Sequence, residues 1–142
     1  MALEDLFHVG QSREETFRVG EEHTAYHIGS GESRVLSTPS MISFMEQVAH
    51  RLLEAALPDD LISVGIQVDI QHLAATPVDA EVRVRAEILD IDGRRVNFAV
   101  QAHDHQELVG KGTHRRAAVD RTRFSQGIAA KKEQLKKDPE IN

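Results

Sequence analysis

The sequence contains no cysteine among its 142 residues. Neither disulfides nor a thiolate nucleophile can therefore contribute to its fold or chemistry. Its apolar runs are short, and none approaches the roughly 20 residues that a membrane-spanning helix needs. The first ten residues, "MALEDLFHVG", lack the basic region and apolar stretch of a secretory signal. These absences predict a cytoplasmic protein with no membrane partner.

The chain also lacks the excess of basic residues that binds nucleic acid. Its formal net charge is −6. From Asp120 onward, six Lys or Arg stand against four Asp or Glu, so residues 1–119 carry −8. Because phosphate contacts need a basic surface, we expect no nucleic-acid partner. The basic segment after residue 119 is more simply explained as a solvated tail than as a nucleic-acid-binding segment. We therefore divide the chain into a domain at 1–119 and a charged tail at 120–142. Within the tail, a helix is predicted over "GIAAKKEQLKK".

Common catalytic and phosphate-binding motifs are missing as well. No G-x-S-x-G nucleophile elbow and no G-x-x-x-x-G-K loop occurs. The eight histidines do not form two clusters at a metal-binding spacing, so we predict no metal site. The glycines of "VGKGTH", Gly110 and Gly112, are more typical of close strand packing than of phosphate binding.

One long helix is predicted from the stretch that begins "TPSMISFMEQVAH" at Thr38. Thr38 suits the N-cap and Pro39 the first helical position, whereas Pro58 marks the end. The apolar residues of this segment share one arc of the helix. They include Met45, Val48, Ala49, Leu52, Leu53, Ala56 and Leu57.

Alternating apolar residues before and after this helix predict strands. A first strand is predicted at 15–28, with a bend near Gly20. After the helix, Ile62, Val64, Ile66, Val68, Ile70 and then His72 form the inner row of a second strand. Two further strands carry inner rows at Val82–Ile88 and Val96–Ala102, joined by a hairpin at Asp92–Gly93. With a last strand in "ELVGKGTHRRAAV", the order predicts an α+β fold in which an antiparallel sheet wraps one helix.

Two ionisable residues interrupt the apolar rows. Glu46 lies at about 140° on the helical wheel, between Leu53 at about 120° and Leu57 at about 160°. His72 ends the inner row of the strand that follows. If helix and sheet pack face to face, both side chains approach one interior, and a Glu/His pair in a cleft is suited to general base catalysis. The simpler alternative is that Glu46, at the margin of the apolar arc, reaches solvent and that His72, at the strand end, caps a loop.

Thr38 is a third candidate, although an N-cap role alone would explain it. Eight helical residues span about 12 Å, so Thr38 and Glu46 cannot touch within one regular helix. Three explanations remain open: an irregular first turn, action on different parts of one substrate, or a meeting across a subunit interface.

Four segments together resemble a known family. They are "STPSMISFMEQVA", "SVGIQVDIQHLAATP", "DIDGRRVNFAVQAHD" and "LVGKGTHRRAAV", which cover roughly residues 20–119. In content and order they resemble the hotdog-fold acyl-CoA thioesterases close to fluoroacetyl-CoA thioesterase. The resemblance implies a hotdog fold with one central helix and about five antiparallel strands.

The resemblance also implies a site. Thr38, Glu46 and His72 match the family's active-site threonine, glutamate and histidine, and Gly65 matches a glycine whose backbone lies near the thioester. The substrate would be an acyl-CoA, with no cofactor because CoA is part of the substrate. A homodimer with the sites at its interface is implied, and further pairing to a tetramer is left open.

The segment before Thr38 and the arginines of the chain bear on the substrate. Members specific for fluoroacetyl-CoA carry aromatic residues before the threonine, whereas "GSGESRVLS" has none. We therefore expect another small or medium acyl group. Arginines on outward strand positions and near the last strand are candidates to meet the CoA phosphates, among them Arg94, Arg95, Arg115 and Arg116. For each one singly, a solvated arginine is the simpler interpretation. The alternatives are a dehydratase-like hotdog enzyme and a non-catalytic acyl-CoA-binding protein.

Overall fold

A computed structural model describes residues 2–137 of the chain. The strands are β1 (Ser12–Arg18), β2 (Leu61–His72), β3 (Glu81–Asp92), β4 (Arg95–His103) and β5 (Leu108–Asp120). The helices are α1 (Ala25–Ile28), α2 (Thr38–Glu54) and α3 (Arg121–Lys137), with short 3₁₀ turns at Leu3–Asp5 and Glu21–His23. All strand pairs are antiparallel, and the sheet order is β1-β3-β4-β5-β2. This arrangement confirms the predicted five-stranded sheet around one long helix.

The hydrophobic core lies between α2 and the concave face of the sheet. The inner rows predicted for β3 and β4 are confirmed, because their apolar members are all buried: Val82, Val84, Ala86, Ile88, Val96, Phe98, Val100 and Ala102. The apolar arc of α2 packs on them through Met41, Phe44, Met45, Val48, Ala49, Leu52 and Leu53. The hairpin predicted at Asp92–Gly93 is confirmed, and Gly93 has the positive φ of 62° that such a turn needs.

The first predicted strand was placed wrongly. β1 ends at Arg18, and the segment after Gly20 turns into short helices instead of continuing to residue 28. The backbone N–H of Gly20 donates to His23 Nδ1 at 2.9 Å, and the Thr24 hydroxyl accepts from the N–H of His27 at 3.1 Å. Such local bonds from side chains satisfy the backbone without a sheet partner.

A β-bulge at Ile66 also corrects the inner row predicted for β2. Gly65 pairs with Arg116 and Gln67 with Arg115, so Ile66 is an extra residue without a partner on β5. The bulge reverses the alternation. Val68, Ile70 and His72 face the helix side as predicted, but before the bulge the helix-facing residues are Ser63 and Gly65. Ile62 and Val64 lie on the opposite face.

The basic segment after Asp120 folds as α3 through Lys137. None of the α3 residues is buried. The division at 119/120 stays a prediction, and its last residues, 138–142, lie outside the described part of the chain. Among residues 2–137, no helix has both the length and the apolar character that crossing a membrane requires.

Close strand packing at Gly112 generates a stability prediction. A Cβ added there would overlap the carbonyl oxygen of Asp69 and lie 2.8 Å from the Cα of Ile70. Gly112→Ala is therefore expected to lower the free energy of unfolding by about 1–3 kcal/mol, because the β2 backbone must shift. Urea titration measures this change. Gly127→Ala in exposed α3, where a Cβ meets nothing within 4 Å, is the matched control and should not destabilise. Equal effects of the two substitutions would contradict this account.

Candidate active site

Ser37, not Thr38, is the N-cap of α2, which corrects the sequence prediction. The buried Ser37 side chain accepts a hydrogen bond from the N–H of Ser40 at 3.1 Å. Thr38 is the first helical residue, and Pro39 follows where its missing N–H costs nothing. The Thr38 hydroxyl is therefore not needed for capping.

The Thr38 hydroxyl instead contacts His72 at the end of β2. Thr38 Oγ1 and His72 Nδ1 are 2.7 Å apart. Burial lowers the pKa of His72, and a backbone contact with Ala74 partly opposes the shift, so the neutral ring is favoured. Nε2 is buried and makes no hydrogen bond of normal geometry within residues 2–137. The Thr38–His72 pair thus holds a neutral imidazole whose Nδ1 is oriented by the threonine hydroxyl.

Glu46 lies at a different place, beside Gly65 on β2. Its side chain keeps 43% of its surface exposed, and Oε2 is 3.7 Å from NH1 of Arg116. A Cβ on Gly65 would lie 2.7 Å from Glu46 Oε2, so only glycine lets the carboxylate rest against the strand. No hydrogen bond or ion pair joins Glu46 to His72 within the described chain. The predicted Glu46–His72 pair is therefore not formed inside one protomer.

Arg116, one of the arginines predicted as candidates for the CoA phosphates, points inward. The residue is 6% exposed and lies opposite Gly65 on the helix-facing side of β5. Its Nε donates to the Ser63 hydroxyl, and its NH2 donates to the Ser63 carbonyl at 3.2 Å. Burial lowers the pKa of Arg116 and the Glu46 carboxylate opposes the shift, but guanidinium stays charged in proteins. The group that the Arg116 cation faces is therefore the Glu46 carboxylate.

His114 completes this group and was missed by the sequence analysis. It is 2% exposed, two residues before Arg116 on the same face of β5. Its Nδ1 lies 2.9 Å from the carbonyl oxygen of Gln67, and its Nε2 lies 3.1 Å from NH1 of Arg116. The spacing of histidine and arginine in "GTHRR" is the signal that could have found it, because alternate strand residues share a face. We call Glu46, Ser63, Gly65, His114 and Arg116 the Glu46 cluster.

Each half of the site adjoins open space. A cavity of about 340 Å³ lies beside Ser63, between the second half of α2 and the start of β2, with His50, Leu57 and Leu61 in its wall. A second space of about 350 Å³ lies at the Thr38–His72 pair and is bounded by Leu36 and Leu73. The first cavity reaches the Glu46 cluster at Ser63, and the second is bounded by both Thr38 and His72.

The remaining candidates do not form a centre of their own. Arg94 and Arg95 are exposed, and Arg115 Nε donates to the Asn97 side chain at 2.6 Å. Within residues 2–137, no three metal-ligating side chains come close enough to hold an ion.

Comparison of the sequence with known families and with known proteins points to the same family in both cases. The family described as fluoroacetyl-CoA-specific thioesterase matches residues 19–122. The fluoroacetyl-CoA thioesterase of Streptantibioticus cattleyicolor is 30% identical over 135 residues, covering 91% of this chain and 97% of that protein.

Solved structures agree with these sequence matches. A variant of the fluoroacetyl-CoA-specific thioesterase in complex with fluoroacetate and CoA has a TM-score of 0.79 and 31% identity, covering 83% of this chain and 99% of that one. A hot-dog-like protein from Thermanaerovibrio acidaminovorans has a TM-score of 0.86 over 92% of this chain and 97% of its own, and its 24% identity supports the fold alone.

Two histidines with a lowered pKa, the partly buried His72 and the buried His114, generate a pH prediction. Burial lowers the pKa of His72 and of His114 below the ordinary value of 6.5. The unfolded chain then binds these protons more tightly, so their contribution to stability is complete above pH 6.5 and is lost as the pH falls toward the folded-state values. We expect His72→Gln to weaken the loss of unfolding free energy between about pH 7 and pH 5, as measured by urea titration at each pH. His8→Gln, at an exposed histidine, is the control, and parallel curves for all three proteins would refute the assignment.

Proposed function

The chain belongs to the family of fluoroacetyl-CoA-specific thioesterases and is a thioester hydrolase, and from this premise we propose that it hydrolyses a small or medium acyl-CoA with Thr38, Glu46 and His72. One observation carries the assignment of residues. The half-exposed carboxylate of Glu46 rests against the backbone of Gly65 on β2. The neutral imidazole of His72, on the same strand, is oriented by Thr38 of α2.

We propose that two subunits complete each site. Gly65 and His72 are seven positions apart on β2, or about 23 Å in an extended strand. β2 is an edge strand of the sheet, and Ile66 and Val68 on it are 47% and 43% exposed. Antiparallel pairing of two β2 edges about a two-fold axis near Val68 would bury these side chains and bring Gly65 opposite His72 of the partner subunit. Glu46 of one subunit then meets the Thr38–His72 pair of the other, which accounts for the distance between Thr38 and Glu46.

In this arrangement the chemistry needs only water, the side chains and the backbone N–H of Gly65. Glu46 accepts a proton from water as the water oxygen attacks the thioester carbonyl carbon. The N–H of Gly65 polarises the carbonyl oxygen. When the C–S bond breaks, a proton passed through His72 reaches the sulfur, so the products are a carboxylic acid and free CoA. Direct attack by Glu46 would give an anhydride that water hydrolyses to the same products.

The other expectations are carried forward as part of this proposal. The reaction uses no cofactor and no metal, and the enzyme works in the cytoplasm as a homodimer, with or without pairing to a tetramer. Exposed arginines such as Arg94 and Arg95 remain candidates for the CoA phosphates.

The role of Glu46 is tested by Glu46→Gln. This change keeps the shape of the side chain but removes its charge and basicity, so kcat for acyl-CoA hydrolysis is expected to fall by about two orders of magnitude or more. The assay measures release of free CoA thiol over a panel of acyl-CoA substrates. Glu133→Gln on α3, a helix with no buried residue, is the control and should leave kcat near wild type. Hydrolysis by Glu46→Gln at the wild-type rate would exclude Glu46 as the catalytic carboxylate.

Shared sites are tested by mixing two inactive variants. In a heterodimer of Glu46→Gln and His72→Ala subunits, one of the two sites combines an intact Glu46 with an intact His72. After denaturation and refolding of an equal mixture, about one quarter of wild-type activity should return, because half of the dimers are mixed and each carries one active site. A mixture that stays as inactive as its components would place Glu46 and His72 in separate functions or within one subunit. Size-exclusion chromatography of each variant checks that the dimers form.

A further inference from the structure

His114 is a buried imidazole with two directed polar contacts and no access to solvent. It lies on the helix-facing side of β5, next to the buried ring of Phe98, with ring centroids 6.3 Å apart. Burial lowers the pKa of His114, the Gln67 carbonyl opposes the shift, and the nearby Arg116 cation adds to the lowering. The ring is therefore neutral at physiological pH.

The contacts fix which nitrogen carries the proton. The Gln67 carbonyl oxygen can only accept, so Nδ1 must donate to it across 2.9 Å. A neutral ring then has a lone pair on Nε2, and Arg116 NH1 can only donate, which gives the second bond at 3.1 Å. His114 thus donates through Nδ1 to a carbonyl at the β2 bulge and presents Nε2 as an acceptor to the guanidinium of Arg116.

Arg116 is held from two directions. Ser63 accepts from Nε and NH2, and His114 accepts from NH1. On its other side, Arg116 NH1 faces Glu46 Oε2 at 3.7 Å, a charge contact that is longer than a hydrogen bond. The position of this cation relative to the carboxylate therefore depends on the acceptors behind it.

We propose that His114 is a positioning residue that acts through Arg116 to hold the carboxylate of Glu46 against Gly65 in its reactive orientation. This inference rests on the proposed function, because it assigns Glu46 to the reaction. Histidine supplies a donor and an acceptor in one rigid ring, and only the acceptor serves Arg116. A purely structural role would instead depend on the donor, which ties β5 to the bulge of β2.

Two amide substitutions separate these roles. Asn places its amide near the position of Nδ1 and can keep the bond to Gln67, but it does not reach Arg116. Gln places its amide oxygen near the position of Nε2 and can keep the bond to Arg116, but it loses the bond to Gln67. We expect His114→Asn to lower kcat by about 10- to 100-fold with little change in KM, as a small displacement of a catalytic group does. His114→Gln should stay within about threefold of wild-type kcat.

Stability measurements and a substitution at a second residue, Ser63, keep the test decisive. Thermal unfolding and size-exclusion chromatography establish that each variant is folded and dimeric. Ser63→Ala removes the other side-chain acceptor of Arg116 and should lower kcat in the same direction as His114→Asn. The positioning role is wrong if His114→Asn retains the wild-type kcat. It is also wrong if kcat falls as far in His114→Gln as in His114→Asn. A wild-type protein that releases no thiol from any acyl-CoA would instead refute the proposed function, so the two failures are distinguishable.

Discussion

The regular geometry of α2 is the constraint on which the arrangement of the site depends. Seventeen consecutive residues from Thr38 to Glu54 are helical, so Thr38 and Glu46 stay about 12 Å apart. Each therefore finds its own partner on β2: Thr38 contacts His72 at one end, and Glu46 rests on Gly65 nearer the other. A single protomer thus holds the two pairs apart along one edge strand, and in the proposed dimer a two-fold axis through that strand would join them.

The bulge at Ile66 lets one strand serve both halves. In an unbroken strand, Gly65 and His72 are an odd number of positions apart and would face opposite sides of the sheet. The extra residue reverses the alternation, so both face α2. The bulge also leaves the Gln67 carbonyl where His114 donates to it. A local irregularity in pairing is therefore what aligns the catalytic candidates, as bulges next to functional sites commonly do.

The sequence predicted the elements whose periodicity is unbroken. The alternation in β3 and β4, the apolar arc of α2 and the two polar interruptions at Glu46 and His72 all follow from patterns of period 2 or 3.6. It did not predict the orientation of Arg116, because "RR" offers two candidates and only the strand register decides which one faces inward. Likewise, the sequence did not identify Ser37 instead of Thr38 as the N-cap of α2. Adjacent hydroxyl residues can both cap, and only the backbone geometry distinguishes them.

The buried Arg116 gives a reason to regard the Glu46 cluster as functional. Desolvating a guanidinium costs several kcal/mol, and an ion pair at 3.7 Å with a half-exposed carboxylate offsets only part of this cost. Apolar replacements of buried ionic groups are often neutral or stabilising, so the folded state alone does not require this cation. What apolar residues could not supply is a fixed positive charge beside Glu46. The two acceptors behind Arg116, Ser63 and His114, then have a purpose beyond satisfying a buried donor, since they determine where that charge lies relative to the carboxylate.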